Sequence, residues 1–299
     1  MVDATQTATA PLDPVAAPVR SEGYWRSVWR RLRRDKVAMT AGGVLLFILS
    51  LAVFAPWIAP QDPLHGTMLM RLRPIGTEGH ILGTDELGRD MLSRLIWGGR
   101  LSLLMGVTPV IFAFFIGSAI GITAGYAGGI VNTLIMRTVD VFYAFPSVLL
   151  AVALSGALGA GLGNALLSLT VVFIPPIARV AESVTTRLRS SDFIEAARAS
   201  GASALTIVRV HVLGNVLGPI FVYATSLIAV SMILASGLSF LGLGVRPPNP
   251  EWGLMLNTLR TAIYVQPWVA ALPGMMIFAV SISFNLLSDG LRSAMEVRA

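Results

Sequence analysis

The sequence predicts an all-α polytopic membrane protein with six transmembrane helices. Three observations carry this. Mean hydropathy is +0.73. Only 13% of the 299 residues are charged, whereas 55% are hydrophobic. The chain also contains charge-free runs at 37–58, 101–136, 141–178, 212–245 and 261–288. A spanning helix needs about 20 apolar residues, so the first and last runs hold one span each. The 101–136 run is too long for one span and breaks at the Ala124-Gly125-Tyr126-Ala127-Gly128-Gly129 turn. The 141–178 run breaks between Ser155 and Gly161, and the fourth includes flanks on both sides of the membrane, so six spans is the most economical reading.

Cysteine is absent, which removes disulfides, thiolate metal sites and thiol nucleophiles. Lys36 is the only lysine and has no Gly-rich phosphate cradle around it, so the chain has no P-loop. ATP, if it drives this protein, is bound by another chain.

Residues 1–36 read as an N-terminal tail. Positions 1–22 are rich in Ala, Thr, Pro and Asp, a disordered composition without a secretory h-region. From Tyr24 to Arg34, aromatic and aliphatic residues recur at helical spacing while arginines fill the other positions. That pattern suits an interfacial helix on anionic lipid rather than a nucleic-acid contact. The first span covers 37–58 and an external loop 59–100. Residues 101–290 form a five-helix core that includes a cytoplasmic loop at 183–214, and 291–299 form a C-terminal tail. With both termini inside, 15 of the 22 Lys and Arg residues lie on the cytoplasmic side, as the positive-inside rule favours.

In the first external loop, Gly83-Thr84-Asp85-Glu86-Leu87-Gly88-Arg89-Asp90 reads as a tight turn that satisfies its own backbone, with coordination of a cation or docking of an external partner as the other uses. Gly117, Gly121 and Gly125 repeat every four residues along the second span and permit close helix packing, within the subunit first and against another subunit second, with lining of a substrate path as a further use. Arg137 and Asp140 lie three apart on the third span, the spacing of a local ion pair. Pro146, Pro175-Pro176, Pro219 and Pro273 are expected to bend the spans in or beside which they lie. The apolar runs carry no charge, which counts against a proton- or sodium-driven carrier. Between the fifth and sixth spans, Gly and Pro density stops the helix, and Trp252, Tyr264 and Trp268 fit an interfacial aromatic belt. Asn285 and Asp289 mark the inner end of the last span. The histidines, His65, His80 and His211, are scattered, so no metal pair or catalytic constellation is indicated.

The segment Asp192–Pro219 is polar and helix-prone between apolar runs. Asp192 and Glu195 have capping-box spacing, Ala196, Ala197 and Ala199 propagate a helix, and Gly201 ends it. Ser203 then caps a second short helix through Leu205 to His211. A helix, break, helix element of low profile is a docking surface rather than a catalytic site.

These residues carry a resemblance. Glu195-Ala196-Ala197-x-x-x-Gly201 followed by Ile207 and Leu213 resembles the EAA motif of permease subunits of ATP-binding-cassette (ABC) importers. Leu82–Asp90, Ala124–Gly129, Ser239–Gly244 and Asn285–Arg292 extend it, and the whole from Asp35 to Met295 is similar to the C-type permeases of dipeptide, oligopeptide and nickel importers. One departure is Gly214, where the family usually has Pro, which implies a looser junction with the fifth span. The resemblance implies a type I ABC importer permease fold with cytoplasmic coupling helices in a bacterial inner membrane, and no enzymatic activity in this chain. Its expected partners are a homologous B-type permease, two cytoplasmic ATPase subunits that hold ATP and Mg, and an external solute-binding protein. Asp192, Glu195, Ala196, Ala197, Gly201, His211 and Asn215 would contact the ATPase. Asp85, Glu86, Arg89, Asp90, Arg246, Glu251 and Trp252 would face the binding protein. The solute expected is a di- or oligopeptide. A nickel chelate is the alternative within the family, and an ion-coupled carrier is the alternative outside it.

Overall fold

Helix formation follows the apolar runs closely. The computed structural model describes residues 24–295, and the expected tail at 1–22 and the last four residues lie outside them. The elements are α1 (Tyr24–Leu32), α2 (Lys36–Val53), the single turn α3 (Ala55–Ile58), α4 (Met91–Ala127), α5 (Gly129–Tyr143), α6 (Ser147–Leu158) and α7 (Leu162–Arg189). There follow α8 (Asp192–Ala199), α9 (Ala204–Phe240), α10 (Trp252–Thr258) and α11 (Pro267–Met295). Five helices, α2, α4, α7, α9 and α11, are each long and apolar enough to cross a membrane. Helices α5 and α6 pass the same test only as a pair, bent by 84°, so the described residues hold five candidate crossings, or six where the pair is one broken span. The protein is thus a multi-pass, all-α membrane protein.

The core is built on α4 and α7. Gly117, Gly121 and Gly125 form a stripe along α4, and α7 lies directly on it. A Cβ added at Gly117 would approach the Ile174 carbonyl to 2.9 Å, and one at Gly125 would approach Thr185 Cβ to 2.8 Å. Packing within the subunit is therefore the use of this stripe. Leu169, Phe173, Ile177 and Ala181 of α7 continue the same buried cluster toward Val216, Ile220 and Ala224 of α9. A second cluster joins α2, the start of α4, α10 and α11 around Ile48, Met91, Trp252, Met255 and Ile277.

Turns fall where the backbone demands them. Gly128 has φ +67° and ends α4, and its lack of a side chain admits the Arg189 guanidinium from the end of α7. Of the prolines expected to bend spans, only Pro146 coincides with a break. Pro175, Pro176, Pro219 and Pro273 lie inside uninterrupted helices. A helix tolerates such a residue where neighbouring elements re-satisfy the freed groups.

The two ends of the described chain meet. Asp35 caps α2 by accepting from Val37 N at 2.9 Å and Ala38 N at 3.0 Å. Val28 and Leu32 of α1 and Ala38 of α2 bury against Leu287, Leu291, Ala294 and Met295 of α11. Gly290 makes room for Ala38, whose methyl a Cβ there would overlap. The apolar face of α1 is thus spent on protein packing, while Trp29 on its other face is half exposed and stacked by Arg33 at 5.1 Å. Against expectation, α11 does not end at Asp289. Asn285 and Asp289 are exposed positions within the helix, and residues 291–295 are helical because α1 covers them.

Candidate functional site

The segment after α7 is the most exposed ordered backbone at its end of the bundle, and its geometry is set by four local choices. Ser191, in extended conformation, is the N-cap of α8, and its hydroxyl turns back to donate to Leu188 O at 2.6 Å. The expected capping box of Asp192 and Glu195 is therefore not formed. The chain must turn sharply after Arg189, which moves the cap to Ser191 and leaves Asp192 as the first helical residue. Both carboxylates are exposed, in the first turn, where the helix dipole favours negative charge.

Gly201 ends α8 as expected. At φ +82° it donates to Arg198 O at 2.9 Å, and Ala202 N donates to Ala197 O at 3.1 Å, the two bonds of a Schellman motif. Ser203 Oγ then accepts from Thr206 N at 3.2 Å to open α9. The second helix does not stop at His211. It passes through a π-helical turn, Ile207–Val212, straight into the long span. Leu213 N reaches back to Val208 O, and the Asn215 amide donates to His211 O at 2.6 Å. Gly214 is thus a position inside a continuous helix with open space beside it, not a loose hinge.

Beneath this surface the element is bolted to three others. Ile194 and Ile207 are fully buried plugs, and Ala197 packs against the same core. The Phe193 ring lies 6.4 Å from that of His211, which joins α8 to the root of α9. Arg198 stacks over Tyr126 of α4 at 5.7 Å. Glu182 of α7 accepts from the Asn132 amide of α5 at 2.7 Å and from the Thr186 hydroxyl at 2.9 Å, and Asn132 also donates to Ala124 O. The outward side presents Asp192, Phe193, Glu195, Ala196, Gly201, Leu205 and Val210. Of the seven residues expected here, Ala197 and His211 are half-buried and the other five are exposed. A surface of two carboxylates over an apolar ridge, joined to α4, α7 and α9, has the form of a mechanical docking element. The Glu182–Asn132 tie and the two isoleucine plugs were not anticipated. Each depends on partners more than ten positions away, so no local pattern announces it.

Asp140 pairs with Arg179 of α7 at 2.5 Å and not with Arg137, contrary to the spacing argument. The α5–α7 packing turns Asp140 toward α7, and an exposed i,i+3 pair is worth too little to oppose it.

At the opposite end of the bundle, the Gly83–Asp90 turn satisfies itself as expected. Asp85 Oδ1 accepts from Leu87 N and Arg89 N, both at 2.9 Å, while its Oδ2 meets Arg89 Nε at 2.6 Å and lies 3.2 Å from Arg94 Nε. Arg94 also donates to Pro63 O at 2.8 Å. Asp90 caps α4 through Ser93 and takes His80 at 3.1 Å. Glu251 caps α10 and receives the Ser102 hydroxyl, and Trp252 donates from Nε1 to Leu95 O at 2.9 Å with its ring against Gly98 and Gly99. Asp85, Arg89, Asp90, Glu251 and Trp252 are therefore buried scaffolding rather than an outward-facing set. Arg246 is exposed and donates to Ala160 O, and Glu86 is partly exposed. Trp252 also leaves the expected aromatic belt, because two glycines open a slot for its ring, whereas Tyr264 and Trp268 are exposed. Among the described residues, no three His, Asp or Glu side chains come together as a metal site.

Comparison with known proteins agrees with this architecture. The family described as binding-protein-dependent transport system inner membrane component matches residues 117–298, and the N-terminal TM domain of oligopeptide transport permease C matches residues 23–74. The glutathione transport system permease protein GsiD of Escherichia coli O157:H7 is 42% identical over 287 residues, covering 95% of this chain and 93% of that relative. The same protein of Pectobacterium atrosepticum is 40% identical over 272 residues, 91% of this chain and 90% of the relative. Among solved structures, an inward-facing form of the MetNI methionine ABC transporter matches with a TM-score of 0.56 at 22% identity, covering 68% of this chain and 97% of that one.

Proposed function

The chain belongs to the family of binding-protein-dependent transport system inner-membrane components, as a permease subunit of an ABC importer, and we propose that the solute it passes is a small peptide. The observation that carries the substrate reading is the kinship, at 40–42% identity over more than nine-tenths of the chain, with permeases named for glutathione, itself a tripeptide. The match of residues 23–74 to an oligopeptide permease domain supports the same class.

In this reading a homologous B-type permease pairs with the chain, two ATPase subunits dock at the α8 end, and an external solute-binding protein delivers the peptide at the end carrying Asp85–Asp90. Both termini then lie in the cytoplasm. Exposed Asp192, Glu195, Ala196 and Gly201 contact the ATPase, while Ala197, His211 and Asn215 hold the element in register. Attachment to α4, α7 and α9 supports transmission of ATP-driven closure as a body shift rather than a local rearrangement. On the external side, Arg246, Glu86 and the backbone of the Gly83–Asp90 turn offer the contact, and the buried residues hold its shape.

The test is uptake by the reconstituted importer, with its partner permease, ATPases and binding protein in proteoliposomes. ATP-dependent accumulation of glutathione or trialanine is the expected result. Transport of nickel chelates alone would overturn the peptide assignment, and uptake by this chain without an ATPase would overturn the importer mechanism.

A further inference from the structure

Among the described residues α5 and α6 are the one helix pair that is long and apolar enough for a membrane span only when joined across a sharp bend. Helices α5 and α6 meet at 84° across residues 144–146, where Pro146 supplies no N–H and disfavours helix at Phe145. Just before the break, Arg179 donates to Asp140, and its guanidinium sits 4.8 Å from the centre of the Tyr143 ring. Neither charge is sealed: the Arg179 side chain is 47% and that of Asp140 38% exposed. Phe142 and Phe145 beside them are exposed as well.

Depth decides what such a cluster can face. The 28 residues of α7 span about 42 Å, roughly 12 Å more than a hydrocarbon core of about 30 Å. Arg179 stands ten residues, about 15 Å, from the Arg189 end. Even if the whole excess projects at that end, Arg179 reaches hydrocarbon depth. Charges at that level turn to a water-filled cavity or to protein, and broken backbone there needs the same.

We propose that Asp140, Arg179 and Tyr143 form a substrate contact on the wall of the translocation path, where the carboxylate receives the ammonium group of a peptide and the guanidinium its carboxylate. This rests on the importer reading above. In the empty path the two charges neutralise each other. A zwitterionic solute exchanges that one pair for two, so neither protein nor solute carries a bare charge at membrane depth during passage. A solute capped at either terminus forfeits half of the exchange. Tyr143 holds the guanidinium from its open side by cation–π attraction.

The absence of cysteine makes the test direct. In the assembled importer, Phe142→Cys and Phe145→Cys are each exposed to a membrane-impermeant quaternary-ammonium methanethiosulfonate, with Phe47→Cys on α2 as control. Labelling of both test positions and not of the control is expected. No labelling at either would overturn the placement on the path, whatever solute the importer carries. Uptake is then measured for trialanine and its N-acetyl and C-amide forms. Asp140→Asn is expected to raise KM for trialanine at least about tenfold, as loss of a hydrogen bond to a charged group does, and to leave the N-acetyl form little changed. Arg179→Gln gives the mirror result with the C-amide. Restoration of wild-type KM for all three probes by the swap Asp140→Arg with Arg179→Asp would show a structural ion pair and overturn the proposal. Labelling as expected, with no peptide taken up by the wild type, would mark the peptide reading as the one that fails.

Discussion

A methyl group on Gly121 would overlap the carbonyl oxygen of Ala178 and the methyl of Ala181. Helices α4 and α7 therefore meet at backbone distance, and the seam tolerates no side chain there.

Gly121→Val should separate α4 from α7 and lower stability by about 1–3 kcal/mol, the usual range for overpacking. Gly156→Ala, where nothing lies within 4 Å, should be close to neutral. Thermal unfolding of the two purified variants in the same detergent checks the contrast.

Glu195→Arg changes an exposed side chain with no cap bond to lose, so membrane level and thermal stability should stay at wild-type values. Opposed charge at a docking surface costs several kcal/mol, so ATP-driven uptake and stimulated ATP hydrolysis should fall about tenfold or more. Measuring both in the reconstituted importer decides between a docking carboxylate and an idle one.

Asp85→Asn leaves Arg89 and Arg94 buried without their shared carboxylate. Breaking such a buried group from one side costs about 3–5 kcal/mol. The loss should be nearly independent of salt, because buried pairs are screened little. Unfolding measured at low and high ionic strength distinguishes this from a surface effect.

Trp252→Ala should open a cavity between α4 and α10 and cost about 3–5 kcal/mol. Trp252→Phe keeps much of the ring volume but removes the indole bond to the Leu95 carbonyl, for a smaller loss of about 1 kcal/mol. An intermediate thermal midpoint for the Phe variant is the expected order.

Gly214→Pro would place a proline in a continuous helix, where the ring clashes with the carbonyl four residues back, at a cost of about 3 kcal/mol. Reduced stability together with weaker coupling of ATP hydrolysis to uptake is expected from the reconstituted variant.

What the sequence made legible was whatever depends on one helix at a time. Apolar runs located the crossings, glycine spacing located the α4–α7 seam, and Gly201 and Ser203 ended and opened helices where their backbone and hydroxyl chemistry requires. The misplaced features depend on two elements at once. Asp192 and Glu195 have the spacing of a cap, but the turn out of α7 gives that position to Ser191. Asp140 has a neighbour at helical spacing, but α7 brings Arg179 closer. Trp252 looks interfacial until Gly98 and Gly99, some 150 positions earlier, open a slot for its ring. Of the docking surface, the exposed residues were visible as a pattern, whereas Ile194, Ile207 and the Glu182–Asn132 tie that hold it rigid were not.

The contact of α1 with the far end of α11 sets an order of events. Val28 and Leu32 complete their burial only when Leu287, Leu291 and Ala294, on a helix far later in the chain, are in place. Helix α1 thus waits through the synthesis of α4 to α11 and closes only on the assembled bundle. It acts as a latch on α11, and a chain lacking residues 287–295 would leave it open for quality-control proteases.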